Sequence, residues 1–217
     1  MTHPRSPRLI KGGIVLLDPT SAAVLRVIPL QYNPDALSRT LAIHTAGESG
    51  DRVEAMRLTG PPTETIKLDA EIDTTDQLEF PDKNPAAGQL GIFPQLAALE
   101  TIVYPGSASL QSAETLARMG TLEIAPAEAP LTLFVWSKIR VLPVRITDFS
   151  ITEEAFDPNL NPIRAKISLG MRVLSVSDLP SGHKGAGLFM AYLQTKEQLA
   201  ARSPGAALGA LGIGGIG

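Results

Sequence analysis

Cysteine is absent from this chain of 217 residues. That excludes disulfides, thiol nucleophiles, iron–sulfur clusters and thiolate zinc sites, while leaving the redox compartment open. Histidine is scarce. His3, His44 and His183 lie far apart, with neither the i, i+4 spacing nor the nearby carboxylates of a metal site, so no metal is expected. Charge of one sign is missing as well: 19 basic side chains against 22 acidic ones give a net charge of −3, and no run of five like charges occurs. Such a chain has no electrostatic footprint for a nucleic-acid backbone or an anionic membrane. Long apolar runs are lacking too, since no window approaches the ~18 consecutive apolar residues of a membrane span. The start, Met1 to Arg8, is basic but leads into a strand-like stretch containing Asp18 rather than an apolar signal core. Export by a cleaved signal is therefore not expected, nor is membrane insertion.

What the chain does have is a 44% apolar content, enough for one folded domain with an appendage. Gly12 to Leu17 reads as a strand closed by the turn cluster Asp18 to Ser21, and Val24 to Leu30 as its hairpin partner. Pro29 cannot donate to a ladder and places that partner at an edge or a bulge. Leu37 to Thr45 is a further strand, followed by a polar loop, Gly47 to Asp51. From Thr65 to Asp73, Ile66, Leu68, Ala70 and Ile72 alternate with polar residues, the period of a strand with one wet, acidic face. Thr74 to Gly88 is polar and rich in turn formers. Ile92, Leu96, Leu99, Ile102 and Val103 then recur at helical spacing, and Ser109 to Met119 forms a second helix ended by Gly120.

Strand periodicity returns at Leu131. In Ile139 to Phe156 the apolar phase slips near Thr147 or Asp148, which predicts a β-bulge. Asp157 to Pro162 is a turn with prolines that should interrupt the strands, and beyond it every odd position from Ile163 to Val173 is apolar, with Arg164, Lys166 and Arg172 on a basic outer face. These two runs predict a long antiparallel hairpin with a protruding tip. Residues 1–180 form the main domain; residues 181–217 add a helix, Leu188 to Arg202, and a Gly/Ala-rich tail expected to be flexible.

No constellation for catalysis emerges. A Gly-x-Ser-x-Gly turn is absent. Glu153 and Glu154, and the row Asp69, Glu71, Asp73, fit a solvated face better than an acid–base pair. Gly12-Gly13 and Gly182 to Gly187 do not form a strand-to-helix phosphate cradle with its lysine and hydroxyl partners. Trp136, in the run Leu131 to Trp136, reads as core or interface. No catalytic, cofactor-binding or metal residue is assigned, no cofactor is expected, and the chain is not expected to be an enzyme. The unusual feature is the half-polar strand after Pro162, about 36 Å long at roughly 3.3 Å per residue, which suits a barrel wall or an assembly edge.

Three segments resemble the tube-type and baseplate adaptor proteins of contractile injection systems, which are phage-tail-like particles. Leu30-Gln31-Tyr32-Asn33-Pro34 is similar to the family's early Phe-Gln-Phe-Asn-Pro strand and turn. Leu90 to Glu100, with Tyr104-Pro105 after it, looks like its central helix. Phe134 to Val144, Phe149 to Phe156 and the hairpin Asp157 to Arg172 follow its strand, bulged strand and hairpin tip. The resemblance spans most of residues 8–178. It implies a small antiparallel β-barrel or sandwich with flanking helices, assembled as a homohexameric ring. It also implies a structural role joining the spike hub to the tube, assembly in the cytoplasm and incorporation into the particle. It carries no catalytic residues. The chain departs from the family after about residue 180, where a short helix and the tail stand in place of the usual LysM domain. The rival expectation is a monomeric β-barrel or sandwich that binds a small ligand near Phe134 and Trp136.

Overall fold

Alternation of apolar and polar residues decides the architecture. In a computed structural model of the protein, which describes residues 9–45, 57–120 and 129–215, the strands are β1 (Gly13–Leu17), β2 (Val24–Pro29), β3 (Leu37–Ala42), β4 (Thr63–Asp73), β5 (Leu131–Ser137), β6 (Arg140–Phe156) and β7 (Pro162–Val173). They form one antiparallel, seven-stranded sheet in the order β2-β1-β5-β6-β7-β4-β3. The helices among the described residues are α1 (Thr75–Leu78), α2 (Pro85–Leu90), α3 (Phe93–Glu100), α4 (Ser107–Arg118) and α5 (Lys184–Ala200), with a 3-10 turn at Leu208–Leu211. His3, the Gly47 to Asp51 loop and most of the basic start lie outside the described residues.

The core is built where β4 and β7 face each other in register. Leu68 lies opposite Leu169 and Ala70 opposite Ile167, all four buried. Full burial of a side chain such as Leu169 contributes about 2 kcal/mol. Phe134, Leu142, Ile14, Ile92 and Leu96 complete the same cluster. On the opposite face of β5, Leu17, Leu131 and Leu133 form a second small cluster, covered by Leu188 of α5. Phe189 and Tyr192 of α5 join the main core. His183 caps α5, its Nδ1 accepting the Gly185 backbone N–H at 3.1 Å.

The expected bulge is present: the β6–β7 register shifts between Ile146 and Asp148. Gly170 stands opposite, and a Cβ there would lie 2.7 Å from Asp148 Oδ2, so the displaced Asp148 side chain occupies the space a residue larger than glycine needs.

Of the expected barrel or sandwich, the structure shows the sandwich: among the described residues the sheet is open, with β2 and β3 as its two edges. Its ends are drawn together by side chains rather than by a strand ladder, as described below, and α3 packs Leu96 and Leu99 into the core between them. Thr74 to Gly88 is not merely turn: it holds α1 and most of α2, each too short to show a period, the second started by Pro85 at its first turn. The expected hairpin with its tip is present, β6 ending at Phe156, but Pro162 belongs to the strand rather than to the turn. It begins β7 opposite Phe156, where its missing N–H falls at a strand end.

Candidate assembly interface

Two edges left unpaired among the described residues define the first part of the candidate interface. β2 follows its expected edge placement around Pro29, and its Val24, Leu25 and Val27 are 62%, 55% and 59% exposed. At the other edge, Leu41 of β3 and the adjoining Ile43 are exposed too. Unpaired backbone donors and acceptors flanked by exposed apolar side chains are a template for pairing with another chain.

The turn after β2 explains the Gln31-Tyr32-Asn33-Pro34 motif. The Gln31 carboxamide accepts from the Asp73 backbone N–H at 3.0 Å and donates to the Asp73 carbonyl at 2.5 Å. Asn33 does the same on the other side, accepting from Gly12 N–H at 2.9 Å and donating to the Ile10 carbonyl at 2.8 Å. Each side-chain amide copies the two-point bonding of a neighbouring peptide in a ladder. Gln31 thereby links the β2 end of the sheet to the end of β4, and Arg26 of β2 reaches α3 through the Thr101 hydroxyl at 2.9 Å.

The hairpin tip is the second part. Asp157 Oδ1 accepts the backbone N–H groups of Asn159 at 2.7 Å and Asn161 at 2.8 Å, and Oδ2 accepts the Asn161 carboxamide at 2.8 Å. The Asn161 carboxamide bond outweighs desolvation and, with these backbone bonds, holds the Asp157 carboxyl below its ordinary range. Leu160 closes the turn at φ 64°, the left-handed position normally given to glycine, yet its side chain is 76% exposed. The base of the tip is anchored: Asn161 donates to the Gln89 carbonyl at 3.0 Å, and Ile92 N–H donates to the Pro162 carbonyl at 2.9 Å.

The acidic face of β4 and the basic face of β7, read separately from the sequence, turn out to be one neutral surface. Glu71 lies opposite Lys166 and Asp73 opposite Arg164. Arg164 pairs with Asp73 at 2.7 Å and Glu71 at 3.4 Å, and Lys166 pairs with Glu154 at 2.9 Å. Of the carboxylates considered for acid–base work, Glu71, Asp73 and Glu154 are thus engaged in cross-strand ion pairs, while Asp69 lies opposite Ser168 and Glu153 opposite Ala165. Arg172 pairs with Asp178.

Glu64 escaped the sequence reading. It is buried in the apolar row of β4, bonded by Arg39 of β3 at 2.7 Å and by Lys196 of α5 at 3.1 Å, with the Lys196 ammonium 4.2 Å above the Tyr192 ring. Burial pushes its carboxyl up, but the bonds and charges of Arg39 and Lys196 outweigh burial and hold it below its ordinary value. Extending the alternation one step ahead of Thr65 would have shown a charge in a core position.

Phe134 and Trp136 stack at 5.9 Å within the packed sheet. The apolar cavity lies elsewhere, between β2, β4, β7 and α3. It has a volume of about 430 Å³ and is lined by Val27, Leu30, Ile72, Gln95, Ala98 and Leu99 among others. Of the histidines, His44 bonds the Thr63 hydroxyl at 2.9 Å and His183 caps α5. No cluster of metal-ligating residues occurs among the described residues, and no helix among them is long and apolar enough to cross a membrane.

No protein-family profile matches the chain, and no curated protein matches its sequence. Among solved structures it is similar to the tail of an empty GTA particle of C6 symmetry, at 14% identity and a TM-score of 0.30, over 75% of this chain and 90% of that one. So loose a superposition defines neither family nor role.

Proposed function

We propose that the protein is a structural subunit of a phage-tail-like contractile injection particle, a homohexameric ring that joins the spike hub to the tube. The observation that carries this reading is the pair of sheet edges, β2 and β3, unpaired among the described residues and both lined with exposed apolar side chains. Ring closure would pair one copy's edge with the next and remove both from solvent. The anchored tip, with Leu160 exposed, supplies a separate contact for stacking on an adjoining layer. In this reading the subunit binds no cofactor, performs no turnover, and is assembled in the cytoplasm before incorporation into the particle. The sequence motifs at Leu30 to Pro34, Leu90 to Glu100 and Asp157 to Arg172 support the same assignment by resemblance.

Light scattering of the purified protein, followed by negative-stain imaging alone and with the co-encoded tube and spike proteins, tests it. Rings, or one added layer between spike and tube, are the expected result. A monomer that ignores both partners would overturn it. The cavity under α3 favours one alternative, a monomeric ligand-binding protein with its site there rather than beside Phe134 and Trp136.

A further inference from the structure

We infer that the cavity beneath α3 is a binding site for a free aliphatic carboxylate, its chain lying among Leu30, Ile72, Leu99 and Leu169 and its head group held by the Arg26 guanidinium. The site is formed within one chain, so it goes beyond the ring reading and holds for a ring subunit and a monomer alike.

The cavity follows from the open sheet. Across the seam, β2 and β4 share no ladder. Two side chains span it instead: Gln31 clasps Asp73 with both ends of its amide, and Arg26 reaches the Thr101 hydroxyl at the end of α3 at 2.9 Å. Between those two links, Val27 to Leu30 form one wall, Ala70 to Ile72 of β4 another, and α3 the third. The enclosed volume of about 430 Å³ falls within the range of about 300–1,000 Å³ usual for small-molecule sites.

Polarity is graded from floor to mouth. Leu30, Ile72, Leu99 and Leu169 are buried core residues, whereas Val27 and Arg26 at the sheet edge are exposed. Most polar side chains on the lining are occupied or out of reach. Gln31 is engaged by Asp73, Gln95 has its Oε1 sealed away from any ligand, and Glu71 is drawn to Arg164 at 3.4 Å.

Arg26 differs from these. It forms no ion pair among the described residues, and both its hydrogen bonds, to the Ala98 carbonyl and the Thr101 hydroxyl, come from Nη1. Nη2 and Nε, the two donors that together take a carboxylate as a fork, have no acceptor among the described residues. An apolar floor below one guanidinium calls for an apolar chain ending in a carboxylate. With room for one short chain, the cavity excludes the paired long chains of a phospholipid, so the ligand is the free, single-chain acid.

Calorimetric titration of the purified full chain with octanoate, decanoate and decanol tests the site. Decanoate is expected to bind at least tenfold more tightly than decanol, which cannot engage the guanidinium fork. Lengthening the acid from octanoate to decanoate should tighten binding about fourfold per methylene, the effect of one buried CH₂. Arg26→Gln is expected to weaken decanoate at least tenfold and leave decanol unchanged, while Ala98→Leu, which takes up cavity volume, weakens both; circular dichroism checks that each variant is folded. No binding of decanoate at millimolar concentration overturns the site. Equal binding of decanoate and decanol, or decanoate binding untouched by Arg26→Gln, overturns it as well, because the head group would then be unrecognised. Retention on phosphatidylglycerol vesicles without binding of free decanoate would assign the contact to a membrane and overturn it too. None of these results touches the ring reading, which is judged by light scattering without added acid; a monomer that binds decanoate as expected would overturn the ring and keep the site.

Discussion

Glu64 places an acid in a row otherwise filled by Ile66, Leu68, Ala70 and Ile72, and only the cations from two other elements make that tolerable. Its folded-state carboxyl titrates below the ordinary 4.5. The group therefore contributes stability above the unfolded-state value and loses it as pH falls through the lower folded value. Glu64→Gln is expected to cost about 2 kcal/mol at pH 7, a discounted figure because Arg39 and Lys196 are partly exposed. The difference should shrink steadily below pH ~4, as urea midpoints of both proteins across pH 3 to 7 would show; a constant difference would assign the loss to packing instead. The sequence reading missed this residue because a strand begun at Thr65 leaves Glu64 outside the alternation. Of the carboxylates it did weigh, Glu71, Asp73 and Glu154 are ion-paired on the outer face of the sheet, and their partners on β7 became visible only once register was known.

At the scale of elements, the long strands were the most legible, because an apolar–polar period of two runs from Thr65 through β4 and from Ile163 through β7, and each has one packed face. The bulge at Thr147–Asp148 was legible for the same reason, as a break in phase. Helices α1 and α2 were not, since one or two turns display no period. The end of α2 nonetheless governs the hairpin: its C-cap Gly91 has φ 56°, and a Cβ there would run into the Pro162 carbonyl. Gly91→Ala is expected to destabilise the fold by about 2–3 kcal/mol, from left-handed strain plus separation of the helix pair from the hairpin base. Thermal unfolding gives the magnitude, and a change below about 0.5 kcal/mol would mean that α2 and the tip are not coupled.

For the whole molecule, one core and two surfaces divide the consequences of mutation. Leu169 is 1% exposed at the centre of β7, so Leu169→Asp buries an unpaired charge and is expected to abolish folding, read as loss of the cooperative transition and of near-ultraviolet dichroism. Replacing Asp157 to Asn161 with a short Asn-Gly turn should instead leave a folded monomer that fails to stack in negative stain; normal stacks would remove the tip from the assembly scheme. Closure of the sheet could not be read from the sequence, because it depends on whether β2 and β3, at opposite ends of the order, meet. Their separation has a mechanical meaning. Where a closed barrel would be welded along its length, the described residues fasten β2 beside β4 by the clasp of Gln31 on Asp73. The seam is the soft line of the subunit: the Asp73 amide should exchange with deuterium faster than that of Ile167 in the middle of β7, and Gln31→Leu should widen the difference. In the proposed ring, a load would then be relieved by unbuckling each subunit there, before any strand is pulled from its neighbour.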